Sequence, residues 1–225
     1  MLLFLFGVIS IVHSSPVRVC VPDSLAGPCA LMARDLPETF ACVVAPDMLN
    51  CVKKIRDGEA DITNADPSAL YLGGKFFNLR PLTTELVDGQ PFRYQGIALV
   101  SKNSDIQSAR DLQGRPSCHT GLRRTVGWQI PVGKLLSKNV MRPDCEEGEL
   151  GAVQKFFNGS CLPGKWSTDP ILDSNLKAKY SSLCSRCKDP STCAEDDSYA
   201  GYEGVMRCLA EGSGEVAFTK IPALR

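Results

Sequence analysis

Residues 117–133 read SCHTGLRRTVGWQIPVG. This stretch combines hydroxyl groups, two arginines and glycines, and it leads into an apolar segment with helical spacing. Backbone N–H groups at a helix N-terminus point towards a bound anion, the helix dipole favours negative charge, and an Arg side chain grips two oxygens of a planar anion. The stretch therefore predicts an anion-binding loop. The alternative interpretation is a surface turn whose arginines are solvated.

Short apolar runs on both sides of this stretch predict β-strands. They lie at residues 17–21, 41–45, 61–64, 96–100 and 215–218. Between them, residues 48–58 place apolar side chains at helical spacing, and residues 108–113 form a helical or turn-rich segment. Because strands and helices alternate, the sequence predicts an α/β layered fold with a mixed sheet rather than an all-β sandwich.

Two polar segments interrupt this alternation. Residues 101–105 follow a predicted strand and are interpreted as a crossing between subdomains. Residues 161–197 contain four cysteines and many Pro, Ser, Lys and Asp residues, with little periodicity. We predict that this second segment is an irregular excursion held by disulfides.

The first fifteen residues predict a secretory signal peptide, residues 1–15. An uncharged, largely apolar run from Leu2 to Val12 precedes small residues and Pro16, and it is too short to span a bilayer. No later stretch approaches membrane-spanning length, so no transmembrane segment is predicted. Asn158, in Asn-Gly-Ser, is a candidate glycosylation acceptor consistent with secretion.

Charge and cysteine content restrict the class of protein further. The 25 basic and 25 acidic residues balance, so no overall field favours nucleic acid or an anionic membrane. Eleven cysteines in a secreted chain predict a disulfide framework in which one cysteine is free, pairs with another chain or has lost its partner. Cys184 and Cys187 could instead form half of a zinc site or a redox pair, but no second motif completes a tetrahedral set, and structural disulfides are preferred.

Three dispersed residues are candidate metal ligands: Asp66, Tyr94 and Tyr202. Carboxylate and phenolate oxygens are hard donors that suit Fe³⁺, which would displace the phenol proton. Each residue also has an ordinary interpretation, since Asp66 precedes a proline in a turn and both tyrosines could be packing residues. Position along the chain alone does not bring the three together.

Three strings of sequence resemble the amino-terminal lobe of the transferrin family, of the invertebrate or melanotransferrin type. They are residues 117–133, residues 199–220 with YAGYEG and GEVAFTK, and residues 58–71 with EADITNAD. Together they cover nearly the whole chain after the signal peptide, in the family's order. The resemblance implies a disulfide-rich, type II periplasmic-binding-protein-like lobe with two mixed-sheet subdomains, at residues 16–93 and 94–225, and incomplete at its C-terminus.

The resemblance also implies roles for individual residues. Asp66, Tyr94 and Tyr202 match the positions that bind Fe³⁺ in the family. The carbonate or bicarbonate anion would be held by the side chains of Thr120 and Arg124 and by the backbone amides of Val126 and Gly127. The family's fourth protein ligand, a histidine, would lie beyond Arg225, and His119 is expected to be a packing residue beside the anion site rather than a ligand.

The implied disulfides use ten of the eleven cysteines. The pairs are Cys20 with Cys51, Cys29 with Cys42, Cys118 with Cys208, Cys161 with Cys187, and Cys184 with Cys193. Cys145 is left unpaired, because its partner in the family lies near the end of the lobe.

The implied function is binding and transport of ferric iron with a carbonate anion, in the service of iron homeostasis. We expect a secreted, extracellular protein, with the cell surface and endosomes as further locations and a cell-surface receptor as a further partner. The alternative is a transferrin-like cell-surface or junctional protein with weak or lost iron binding. Hydrolysis is not expected, because His119 is the only histidine after the signal peptide and no Gly-x-Ser-x-Gly motif is present.

Overall fold

The computed structural model describes residues 15–84, 86–87, 89–91 and 95–220. The chain divides into two compact units with the boundary between Leu82 and Thr83. Nearly all of the predicted signal peptide, as well as the candidate ligand Tyr94, lies outside the described residues. The predicted subdomain boundary before Tyr94 stays a prediction.

The first unit is a three-stranded parallel sheet with helices between its strands. Its elements are β1 Val17–Pro22, α1 Ala26–Asp35, β2 Phe40–Ala45, α2 Met48–Arg56, β3 Ile62–Thr63 and α3 Pro67–Phe77. The strand order is β2-β1-β3, with both pairings parallel. The predicted strands and helix are confirmed, although α2 ends at Arg56 rather than at Gly58.

Two disulfides and one long-range ion pair connect the elements of this small unit. Cys20–Cys51 joins β1 to α2, and Cys29–Cys42 joins α1 to β2. The Arg18 guanidinium and backbone amide both donate to the Asp61 carboxylate. These hydrogen bonds lower the pKa of Asp61 to about 2.

The second unit contains a four-stranded mixed sheet. Its elements are β4 Leu86–Val87, β5 Gln90–Pro91, β6 Gly96–Val100, β7 Ser117–His119, α4 Ile130–Ser137, α5 Gly148–Phe156, β8 Ser160–Cys161, α6 Pro170–Lys179, α7 Gly201–Ala210 and β9 Val216–Lys220. The order in the main sheet is β6-β9-β7-β8. Strand β6 is antiparallel to β9, whereas β7 runs parallel to both of its neighbours. The predicted α/β class is therefore confirmed.

Aromatic residues from several elements form the core of the second unit. Trp128, Trp166 and Phe218 are almost completely buried. Both indole N–H groups are satisfied, because Trp128 donates to Glu149 Oε2 at 2.8 Å and Trp166 donates to the Leu162 carbonyl at 2.9 Å. These buried and hydrogen-bonded side chains anchor the core of the second unit.

The prediction that residues 161–197 are irregular is wrong in one respect. The segment is held by two disulfides, but it also contains the ten-residue helix α6. Asp169 caps this helix by accepting from the amides of Ile171 and Leu172, and Pro170 is its first residue. None of its residues is fully buried, and so the apolar periodicity that would have predicted it is weak.

None of the described helices is both long enough and apolar enough to cross a membrane.

Candidate functional site

The loop from Thr120 to Arg124 connects the end of β7 to a helical segment. Two residues make its reversal possible, because Gly121 has φ +138° and Arg123 has φ +60°. The chain then enters a π-helical turn at Thr125–Gln129 that continues into α4. This path brings the start of the helical segment back against Thr120.

Thr120 and Gly127 pack so closely that only glycine fits at position 127. A Cβ atom on Gly127 would lie 2.7 Å from the Thr120 amide nitrogen and would overlap Thr120 Oγ1. The Thr120 side chain is 5% exposed, and its hydroxyl has no hydrogen-bond partner within the described part of the chain. A buried hydroxyl without a partner costs about 1–3 kcal/mol, so this group is poised to bind an additional polar atom.

The first amides of the helical segment also lack intrahelical acceptors. The Arg124 carbonyl accepts from the amides of Trp128 and Gln129, at 2.9 and 3.0 Å, and these are the first helical hydrogen bonds. The amides of Val126 and Gly127 therefore precede the first intrahelical donor. The partial positive charge of the helix N-terminus is thus concentrated beside the Thr120 hydroxyl.

The Arg124 side chain adds a full positive charge near this group. Its stem lies over Gly121, and the side chain is exposed. Among the described residues, no carboxylate pairs with its guanidinium. The hydroxyl, two amides and an unpaired guanidinium together have the chemistry of an anion-binding cradle.

His119 lies fully buried beneath the cradle and is neutral. Its Nδ1 lies 2.8 Å from the Gly127 carbonyl oxygen, and its Nε2 lies 2.9 Å from Ser117 Oγ. Because a carbonyl can only accept, Nδ1 carries the proton and Nε2 accepts from the Ser117 hydroxyl. Burial lowers the pKa of His119 to about 4, against a smaller opposite effect of the Gly127 carbonyl. Both ring nitrogens are occupied, which agrees with a packing residue rather than a metal ligand.

Tyr202 is the second residue of α7, and the backbone at the start of this helix contacts the cradle at Thr120. The amide of the preceding residue, Gly201, donates to the Thr120 carbonyl at 3.3 Å. The Lys220 ammonium lies 4.3 Å from the centre of the Tyr202 ring.

Asp66 belongs to the first unit, where it caps α3. Its Oδ1 accepts from the amide of Ala69 at 2.8 Å, and Pro67 is the first helical residue. The carboxylate is exposed, and Oδ2 has no hydrogen bond to any described residue. One oxygen thus has a structural role while the other is available to a ligand.

The cysteines form the five pairs that the resemblance implies. Cys118–Cys208 joins β7 to α7, and Cys161–Cys187 and Cys184–Cys193 hold the α6 region. Cys145 is free and exposed. Because Cys184 and Cys187 are both in disulfides, neither supplies a thiolate for zinc or for a redox pair. Cys161 and Cys187 also approach Asp197, but their sulfurs are bonded to each other.

The predicted glycosylation acceptor is also accessible. Asn158 is exposed and lies in the short turn between α5 and β8. Ser160 of the same motif is buried, and its Oγ lies 2.7 Å from Ser117 Oγ. Modification of Asn158 stays a prediction.

A family model described as Transferrin matches residues 28–224 of this chain. A transferrin of Blaberus discoidalis is 38% identical over 93% of this chain, which covers 30% of that protein. A melanotransferrin of Oryctolagus cuniculus is 37% identical over 82% of this chain, which covers 25% of that protein. The chain thus spans about a third or less of the length of these relatives.

A solved structure shares the fold. Transferrin 1 from Manduca sexta superposes with a TM-score of 0.62 and 36% sequence identity, over 94% of this chain and 34% of that one.

Proposed function

This chain belongs to the transferrin family, and from that premise we propose that it is a secreted protein that binds and transports ferric iron together with a carbonate anion. Family membership supports iron binding and transport in general. The particular ligands and the anion are the specific content of the proposal.

The observation that carries the proposal is the cradle between Thr120 and Gly127. A buried, unpartnered hydroxyl faces a position that must be glycine, and the amides of a helix start beside it. Carbonate is planar, divalent and small, and so it fits donors of this kind better than a bulky anion would. We assign its binding to the Thr120 hydroxyl, the Arg124 guanidinium and the amides of Val126 and Gly127.

Charge balance supports the proposed ligand set of Asp66, Tyr94 and Tyr202. One carboxylate and two phenolates offset the three positive charges of Fe³⁺. When bound, carbonate supplies negative charge that offsets Arg124 and the helix N-terminus. Acidification protonates the anion and the ligands, so we expect iron to be released at low pH, as in endosomes.

The proposed setting follows from the same premise. We propose that the protein is secreted after removal of residues 1–15 and that a cell-surface receptor recognises it. We also propose two subdomains, residues 16–93 and 94–225, with a hinge near Tyr94. Hydrolysis is not part of the proposal, because the Ser117–His119 pair is fully buried and closed to a substrate.

The test is a titration of the protein with ferric nitrilotriacetate, with and without bicarbonate. We expect a visible phenolate-to-iron charge-transfer band that requires bicarbonate and that loses intensity in Tyr202→Phe. Tyr71→Phe is the matched control, because Tyr71 is an exposed tyrosine of α3 that donates no ligand in the proposal.

The same titration distinguishes the alternative function. A protein that serves at the cell surface or a junction, with iron binding weak or lost, would show no bicarbonate-dependent band. A band that Tyr202→Phe leaves unchanged would contradict the assigned ligand.

A further inference from the structure

The carbonyl of Gly127 cannot receive an α-helical hydrogen bond. In an α-helix this oxygen would accept from the amide four residues later, and that residue is Pro131. Proline has no amide proton, so this α-helical donor does not exist. The Val126 carbonyl loses its π-helical donor for the same reason, since that bond would also come from residue 131.

His119 supplies a donor in place of the missing amide. Its Nδ1–H reaches the Gly127 oxygen at 2.8 Å from the end of the neighbouring strand β7. The ring is held in turn by the Ser117 hydroxyl, and Ser117 Oγ lies 2.7 Å from Ser160 Oγ on β8. A chain of hydrogen bonds thus connects two strands of the sheet to the helical turn.

The ring cannot easily move away from this position. It stacks on Phe218 with centroids 5.1 Å apart and meets the edges of Trp128 and Phe157 at 5.4 and 5.8 Å. Packing on three sides fixes the ring plane, and the two hydrogen bonds fix the tautomer. The donor therefore has a single direction, towards the Gly127 carbonyl.

We propose that His119 is a positioning residue for the anion cradle: it supplies a donor where Pro131 has none, fixes the Gly127–Trp128 peptide group, and so holds in place the turn that carries the Val126 and Gly127 amides beside Thr120. The inference rests on the proposed function in one respect, namely that the ligand of these amides is carbonate. His119 itself does not touch the anion.

Replacements at His119 separate this role from simple packing. Asn places its amide near the position of Nδ1 and keeps a donor for the Gly127 carbonyl, although it is smaller. Gln reaches towards the position of Nε2 and misses that carbonyl. Leu fills the aromatic pocket but donates nothing, and Pro131→Ala adds an amide that can donate to Gly127 in its place.

The experiment measures bicarbonate binding to the iron-free protein by the NMR shifts of the Val126 and Gly127 amides, alongside thermal unfolding. We expect His119→Leu and His119→Gln to weaken bicarbonate binding by at least about tenfold and His119→Asn to stay within about threefold of the unsubstituted protein. Adding Pro131→Ala to His119→Leu should recover at least about half of the lost binding free energy.

The outcomes separate this inference from the function on which it rests. If the unsubstituted protein shows no bicarbonate response, the anion site itself is refuted. If it responds and His119→Leu and His119→Asn bind equally well or equally poorly, the positioning role is refuted. Should His119→Leu not fold, the comparison of Asn with Gln decides the question in the same way.

Hydrogen exchange of the Trp128 and Gln129 amides provides a readout that needs no anion. Both amides donate to the Arg124 carbonyl at the start of the turn. If His119 holds the turn, exchange at these amides accelerates in Gln and Leu variants more than in Asn, whatever their melting temperatures. Exchange that follows overall stability alone would contradict the proposal.

Discussion

A Cβ atom on Gly127 would lie 2.7 Å from the amide nitrogen and 2.8 Å from the Cβ of Thr120. The two residues therefore share a space with no room for a methyl group. We expect Gly127→Ala to abolish bicarbonate binding and to lower the free energy of unfolding by about 1–3 kcal/mol, because the turn must move to relieve the overlap. Calorimetric titration and urea unfolding measure the two effects.

Gly133→Ala is the matched control for that substitution. Gly133 lies in α4, is exposed, and has open space where its Cβ would be. Alanine there should leave binding unchanged and raise the stability by up to about 1 kcal/mol. Equal losses from both substitutions would show that the close contact at Gly127 has no special role.

Asp66→Asn should separate the structural role of Asp66 from its proposed role as a ligand. Asparagine caps a helix about as well as aspartate, so α3 should keep its stability to within about 0.5 kcal/mol. The metal loses an anionic donor, and we expect the affinity for Fe³⁺ to fall at least about tenfold. Competition with a chelator measures the affinity.

The control for this substitution is Asp169→Asn, which changes an N-cap of the same kind at α6. It should leave the iron affinity unchanged. It should change the free energy of unfolding by no more than a few tenths of a kcal/mol. An Asp66→Asn protein with unchanged iron affinity would remove Asp66 from the ligand set.

The buried, neutral His119 makes stability depend on pH. Its pKa is about 4 in the folded protein and about 6.5 in the unfolded chain. Above pH 6.5 both states are neutral and the full stability is present. As the pH falls from 6.5 to 4 only the unfolded chain takes up the proton, so the free energy of unfolding should decrease by roughly 3 kcal/mol. Urea unfolding at several pH values measures this loss.

His119→Leu serves as the control for the pH dependence. The variant has no group that titrates at this position, so its stability should change less between pH 6.5 and 5 than that of the unsubstituted protein. Parallel curves for the two proteins would mean that other groups cause the dependence.

The disulfides should differ in their contribution according to the length of chain that they close. Cys118–Cys208 spans 90 residues and Cys184–Cys193 spans 9. Chain entropy predicts a loss of about 4–5 kcal/mol when the first pair is replaced by alanine and about 2–3 kcal/mol for the second. All four cysteines are buried, so loss of packing is comparable. Equal losses in urea unfolding would contradict the entropic account.

Much of the fold could be predicted from local patterns. Strands β1, β2, β6 and β9 are short apolar runs bounded by polar or turn residues, and the sequence places all four to within one or two residues. Helix α6 could not be predicted in the same way, because none of its residues is fully buried. Its only signals are Asp169 and Pro170, which are equally common in turns.

The candidate site shows the same division. The sequence of residues 117–133 predicts an anion cradle, since its hydroxyl, arginines and glycines are contiguous. The contact between His119 and the Gly127 carbonyl depends on how the end of β7 packs against the helical turn. The spacing of apolar residues in the sequence does not predict such a contact. The one available signal is Pro131, four residues after Gly127, because it removes the α-helical donor of the Gly127 carbonyl.

The position of β9 in its sheet has a consequence for synthesis of the protein. This strand lies between β6 and β7, although it is the last strand along the described chain. The second sheet therefore cannot assemble on the ribosome until residues 216–220 have emerged, whereas the first unit has all of its described strands by residue 63. Cys118 has no partner until Cys208 has been synthesised. Before then, Cys118, Cys145 and the cysteines of residues 161–193 are all open to thiol–disulfide exchange in the nascent chain. Formation of Cys118–Cys208 is thus a late event, and we expect its yield to depend on thiol–disulfide isomerisation during folding.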